Sequence, residues 1–227
     1  MRLAGAVLCG ALLCGALLAA CGTAPRRFTP PPPRPEATYV VRAGDTLYSI
    51  GFRNGVDYHD LARWNGIGPD YRIDIGRHLV LHAPAAGEVA MPSPPRPDPP
   101  LPVSAPPRWL WPAEGPASVT VGPPTGGQAL RITGDAGAPV RAAAAGRVVY
   151  TGAGLRAYGQ LVIIKHDDTW LSAYGYNREV YVAEGEVVSQ GQRIAAMGQG
   201  PGNLPALYFE IRQNGRPVDP LRQLPQR

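Results

Sequence analysis

The chain has 227 residues and a formal net charge of +5, and all but one of its 22 basic residues are arginine (Lys165 is the exception). That excess is too evenly spread for nucleic-acid recognition, which calls for a basic cluster or a basic run interleaved with aromatics, but it suits an anionic surface such as a membrane or wall polymer. Glycine (28) and proline (27) are abundant and phenylalanine (3) is scarce, which favours turn-rich β structure with linkers over a helical bundle.

Residues 1–20 read as an address label. Met1-Arg2 gives a positive start, an apolar run follows to Ala20, and Cys21-Gly22 comes next. The run is nearly long enough for a transmembrane helix. Its small-residue ending and the polar, proline-rich tract behind it instead predict a signal peptide. LAAC at 18–21 resembles the bacterial lipobox, which implies cleavage before Cys21 and acylation of that cysteine. Several acyl chains, at roughly 0.8 kcal/mol per buried CH₂, make a stable anchor. The absence of Asp after Cys21 implies, by the same resemblance, the inner leaflet of an outer membrane. Cys9 and Cys14 lie in the removed segment, so the mature domains are expected to stand on packing alone, without disulfides.

Two tracts read as spacers by composition. Residues 21–37 contain Pro30 to Pro33 and Pro35, and residues 84–108 contain ten prolines. Such runs lack backbone donors and favour polyproline II, and the second could reach about 80 Å at ~3.1 Å per residue. They leave two globular pieces, 38–83 and 109–227, and an α+β fold class.

The first piece predicts strand, helix, helix, strand. Thr38 to Val41 is β-branched and aromatic. Asp45-Thr46 opens a helix with Leu47 and Ile50 at helical spacing, and Asn54-Gly55 stops it. Asp57 caps a second helix with Leu61 and Trp64 inward, Asn65-Gly66 ends it, and His78 to Leu81 is a strand. TYVVRAGDTLYSI, LARWNGI and IGRHLVL together resemble a LysM module nearly end to end. The resemblance implies a βααβ fold that binds N-acetylglucosamine-containing chains, chiefly peptidoglycan. It places the sugar between Gly44, Asp45, Thr46 and Leu47 on one side and Asn65, Gly66 and Ile67 on the other. The alternative is that Asp45 and Thr46 are helix caps and Leu47 is core.

The second piece predicts mostly β structure, with strand-like runs at Arg147–Thr151, Leu161–Lys165, Trp170–Tyr174 and Leu207–Ile211 between glycine-containing turns. GAPVRAAAAGRVVYTG, YGQLVIIKHDDTWLSAYGYN, VVSQGQRIAAMG and LYFEIRQNGRPVDP resemble, in order, the LytM or lysostaphin type of zinc endopeptidase, a mostly antiparallel β fold. Enzymes of that type hold zinc with a His-x-x-x-Asp pair and the second His of a His-x-His pair, and two further histidines assist the attacking water. Here the first pair falls on Gly127 and Arg131, the second on Ala206 and Tyr208, and the remaining catalytic His on Tyr176. None of the five is a His or an Asp.

General coordination chemistry agrees. Hydrolytic zinc takes three protein ligands from His, Cys, Asp or Glu, and residues 109–227 contain one histidine, His166, and no cysteine. No metal and no cofactor are expected, and His166 reads as a strand-end residue bonded to a neighbouring turn. A serine triad through His166 and Ser172 lacks the G-x-S-x-G context.

The order lipid anchor, LysM, proline spacer and degenerate LytM domain resembles the NlpD family of murein hydrolase activators. That resemblance implies a catalytically inactive groove that switches on a periplasmic N-acetylmuramoyl-L-alanine amidase during septal wall splitting. By position, Gly127, Arg131, Lys165, Tyr176, Ala206 and Tyr208 would line the groove. The alternative for Tyr176 and Tyr208 is that they fill the space a zinc site vacated. Two other functions stand beside activation: a passive tether from outer membrane to wall, and an endopeptidase with an unusual site.

Overall fold

The computed structural model describes residues 38–84, 107–122 and 126–227. The expected signal peptide, Cys21, the tether to residue 37 and most of the second proline tract lie outside the described residues. No helix among the described residues is long and apolar enough to cross a membrane.

The N-terminal module is a βααβ unit. Strands β1 (Thr38–Val40) and β2 (His78–Val80) pair antiparallel, with Tyr39 opposite Leu79. Helix α1 (Leu47–Asn54) begins at Thr46, whose hydroxyl accepts from the Ser49 N–H while Ser49 Oγ accepts from the Thr46 N–H, a reciprocal cap. Asp45 does other work: it accepts from the Tyr39 hydroxyl at 2.6 Å and the Arg42 N–H at 2.8 Å, and pairs with Arg53. Gly55 ends α1 in the left-handed region, at φ 67°. Helix α2 (Tyr58–Trp64) is capped by Asp57, as expected, through the His59 N–H. Tyr58, Leu61 and Ala62 form its buried face, whereas Trp64 is half-exposed, contrary to the inward placement its spacing predicts.

Among the described residues, the C-terminal piece is built on ten strands: β3 (Ala117–Val121), β4 (Gln128–Thr133), β5 (Pro139–Arg141), β6 (Gly146–Gly152), β7 (Gln160–Lys165), β8 (Trp170–Val180), β9 (Val187–Val188), β10 (Arg193–Gln199), β11 (Pro205–Gln213) and β12 (Arg216–Val218). All pairings are antiparallel. The main path runs β3-β4-β11-β10-β8-β7-β6-β9, and β11 also pairs with β8 from Tyr208 opposite Gly175 to Gln213 opposite Trp170. Side chains alternate across a strand, so β11 serves two cores. Leu207, Phe209 and Ile211 join Leu130, Ile132, Val148, Val162, Ile164 and Tyr174 on one face.

The other face meets the N-terminal module. Tyr208, Tyr158, Leu161, Ile163, Leu171 and Ala173 share one apolar cluster with Leu47, Ile50, Phe52, Tyr58 and Leu61. The described residues of both modules lie in one compact unit. The seam has specific polar contacts as well. Arg212 lies 3.7 Å over the Phe52 ring and its Nη1 donates to the Phe52 carbonyl at 3.1 Å. The turn glycine Gly215, at φ 71°, sits so close to Asp57 that a β-carbon would meet the Asp57 Cα at 2.5 Å. The reading of two pieces held apart by a spacer omits this contact.

Candidate functional site

The five positions that would carry the endopeptidase chemistry fall on β4, β8 and β11 and on the turn before β4. Tyr208 is opposite Arg131 on β4 and opposite Gly175 on β8, which places Arg131 and Tyr176 around one point of the sheet. The Tyr176 and Tyr208 rings are 5.8 Å apart, and the Tyr158 ring packs 5.1 Å from Tyr208. Ala206 is opposite Gly198 and is buried. Gly127 touches β12: a β-carbon there would lie 2.2 Å from Pro217 Cβ. Arg131, Tyr176, Ala206 and Tyr208 therefore come together, whereas Gly127, four residues before Arg131 and just ahead of β4, is pressed against the Pro217 ring instead.

Lys165 does not join them. It pairs with Leu171 on β8, four residues along the strand from Gly175, roughly 13 Å at ~3.3 Å per residue. There it forms an ion pair with Asp168 at 2.6 Å and sits over the rings of Tyr58 and Tyr71. Its assignment to the groove is corrected to the seam between the modules.

Tyr208 belongs to the core. It is 1% exposed, and its hydroxyl donates to Glu210 Oε2. Glu210 in turn accepts from Arg212 Nε at 2.5 Å, and both are buried. Burial and the Glu210 charge push the Tyr208 hydroxyl far above the usual phenol range. A neutral hydroxyl engaged in this way offers nothing to a metal. The surface of the site is left to Arg131 and Tyr176, both half-buried. Tyr176 has φ 63°, an outlier for a bulky side chain. Burial raises its hydroxyl pKa and the nearby Arg131 charge lowers it. Among the described residues no three His, Cys, Asp or Glu side chains cluster as a metal site would require.

Sequence reasoning missed Glu210, Arg212 and Pro217. The first two follow Tyr208 at alternate positions of FEIR, so the period-2 pattern that marks a strand also puts them on Tyr208's face.

His166 is held by two bonds. Nδ1 lies 2.7 Å from the Ala145 carbonyl and so carries the proton, leaving Nε2 to accept from Ser172 at 2.7 Å. Ser172 Oγ is 2.8 Å from the Tyr174 hydroxyl, which accepts from the Ala143 N–H. Ser172 is 1% exposed, and Nδ1 faces a carbonyl where a triad would place a carboxylate. The arrangement pins residues 143–145 to β8. Burial lowers the His166 pKa to about 4.

In the βααβ module, Leu47 is completely buried and belongs to the core, so it presents no surface to a glycan. Asn65 is spent on structure: its amide donates to the Leu61 and Val80 carbonyls and its oxygen accepts from the Val80 N–H. Gly44 and Gly66 are exposed, and Asp45, Thr46 and Ile67 are half-buried.

Family comparisons accord with this architecture. The LysM domain model matches residues 39–81 and the peptidase family M23 model matches 125–220. A Pseudomonas aeruginosa protein named lipoprotein NlpD/LppB homolog is 41% identical, over 83% of this chain and 77% of its own length. The chain belongs to the NlpD family. The Escherichia coli murein hydrolase activator NlpD is 34% identical over 84% of this chain and 68% of that protein. Among solved structures, a candidate M23 peptidase of Pseudomonas aeruginosa aligns with TM-score 0.45 and 27% identity, over 50% of this chain and 48% of that one.

Proposed function

We propose that this NlpD-family chain is a lipoprotein of the outer membrane, anchored through Cys21, that binds peptidoglycan and activates a periplasmic N-acetylmuramoyl-L-alanine amidase during septal wall splitting. The names of its relatives, murein hydrolase activator NlpD and outer membrane antigenic lipoprotein B, support the hydrolase-activator and outer-membrane parts of that reading. The carrying observation is the state of the peptidase-like site: the sheet is intact, while its ligand positions hold a glycine against Pro217, an arginine and a hydrogen-bonded buried tyrosine.

A framework that keeps its strands without its reactive groups retains a shaped surface, and function resides in such a site rather than in the fold. Arg131 and Tyr176 form that surface here. An inhibited amidase is switched on by a ligand that prefers its open state, since equal binding to both states shifts nothing. Capture of the amidase's inhibitory segment on the Arg131–Tyr176 face supplies that preference. A tenfold rise in a rare active fraction takes about 1.4 kcal/mol of differential binding. Glycan contact falls to Gly44, Asp45, Thr46, Gly66 and Ile67, supported by Leu47 and Asn65 from behind.

The test is wall cleavage by the cognate amidase with and without the soluble Cys21→Ser chain. Stimulation that Arg131→Glu or Tyr176→Ala weakens at least tenfold, with folding unchanged, is the expected result. A chain that stimulates no amidase from its own cell is a tether instead, and chelator-sensitive release of wall fragments by the chain alone would make it an enzyme.

A further inference from the structure

The seam between the modules encloses a crevice of about 810 Å³, within the range of about 300–1,000 Å³ that ligand clefts occupy. One wall is Tyr48, Pro69, Asp70 and Tyr71 of the βααβ module. The other comes from the peptidase-like piece, with Arg147 and Val187 on strands and Lys165, His166, Asp167 and Asp168 at the end of β7 and in the turn after it. We infer that this crevice is a second glycan subsite, built jointly by the two modules, that takes the continuation of an N-acetylhexosamine chain leaving the LysM loops.

Continuity argues for a glycan. Tyr48 follows Leu47 directly, and Tyr71 lies in the loop that starts at Asn65-Gly66-Ile67, so the crevice opens from the two segments expected to hold sugar. Its chemistry is that of sugar recognition. Tyr48 and Tyr71 stand edge to face at 5.8 Å and give apolar faces for pyranose C–H groups. Tyr71 is held at φ 54°, an outlier for a bulky residue. Lys165, over Tyr71 and paired with Asp168, ties the two walls together. The Asp168 side chain remains 44% exposed, Arg147 is exposed and Val187 is 65% exposed. Carboxylate and guanidinium are the groups that bond sugar hydroxyls and N-acetyl carbonyls.

The inference rests on the LysM module binding glycan, and the experiment separates the two. The Cys21→Ser chain is titrated calorimetrically with N-acetylglucosamine trimer and hexamer. The hexamer is expected to bind at least tenfold more tightly than the trimer. Arg147→Ala with Asp168→Ala should remove that gain and leave trimer affinity unchanged. Val187→Trp, at an exposed wall position, should narrow the crevice to the same effect, so a folding defect in the double variant does not decide the outcome. Hexamer binding that both folded variants leave intact overturns the crevice and spares the LysM reading. No binding of either oligomer by the unmutated chain overturns the LysM reading and the crevice with it. Binding of free stem peptide in place of the oligosaccharide overturns the glycan assignment of the crevice alone.

Discussion

At the residue scale, Gly127, Arg131 and Tyr208 stand where the zinc ligands of the resembled endopeptidases would fall. Restoring the ligands at Gly127→His, Arg131→Asp and Tyr208→His is not enough, because the β-carbon at 127 collides with Pro217. The triple variant is expected to hold far less than one zinc per chain by elemental analysis after dialysis. One tightly bound zinc would show that Pro217 yields. Gly127→Ala alone should cost about 1–3 kcal/mol by overpacking, read from the urea midpoint. His166 makes a second residue-scale prediction. Unfolded, it takes up a proton near pH 6.5; folded, its buried ring does so only near about 4. The unfolded chain therefore binds more protons between those values, and stability falls as pH drops through that window. The loss is on the order of 3 kcal/mol. Melting temperature against pH should show this slope, and His166→Gln should flatten it. An unchanged slope would place the titrating group elsewhere.

At the scale of elements, β11 links the peptidase-like site to the other module. Tyr208, Glu210 and Arg212 alternate along one face, and their bonds run from the zinc-ligand position to the carbonyl of Phe52 in α1. Arg212→Ala leaves the buried Glu210 carboxylate without its countercharge, held only by the Tyr208 hydroxyl, which costs about 3–5 kcal/mol. Replacing both, with Glu210→Leu and Arg212→Met, should cost less than Arg212→Ala alone; equal urea midpoints would remove the ion pair from the account. Much of this architecture was legible beforehand. Asp57, Gly55 and Asn65-Gly66 mark both helices of the βααβ module, and β-branched runs such as LVIIK mark the central strands. The strands β5, β9 and β12 have three residues or fewer, too few to show a period, and β3, although ASVTV alternates, leaves its valines exposed rather than in the core. Trp64 departs from its helical spacing because a seven-residue helix is packed by Tyr58, Leu61 and Ala62 before its last residue turns inward. Lys165 falls outside the site because order along a motif says nothing of distance along a strand. The seam was illegible for a different reason: Phe52 reads as module core and Arg212 as a polar strand face. Only their juxtaposition, 160 residues apart, reveals a contact.

For the whole molecule, the question is whether the modules act as one body. A module of residues 38–83 is close to the size at which a chain buries too little surface to fold well alone. Part of what it does bury, Phe52 and Tyr58 above all, is buried in a cluster shared with the sheet. Separation would expose those rings and also Tyr158 and Leu171, and would strip Arg212 of an acceptor. At roughly 25 cal/mol per Å² of apolar surface, even a few hundred Å² on this seam stabilises the docked state by several kcal/mol, before the cost of association. A specific protease site placed within residues 85–106 tests this. After complete cleavage of the Cys21→Ser chain, the two fragments are expected to co-elute on gel filtration at micromolar concentration. Phe52→Asp should separate them, because it sets a carboxylate in the apolar cluster beside Tyr158. Fragments that part without that substitution would mean the proline tract alone holds the modules together. The jointly built crevice would then have one wall at a time.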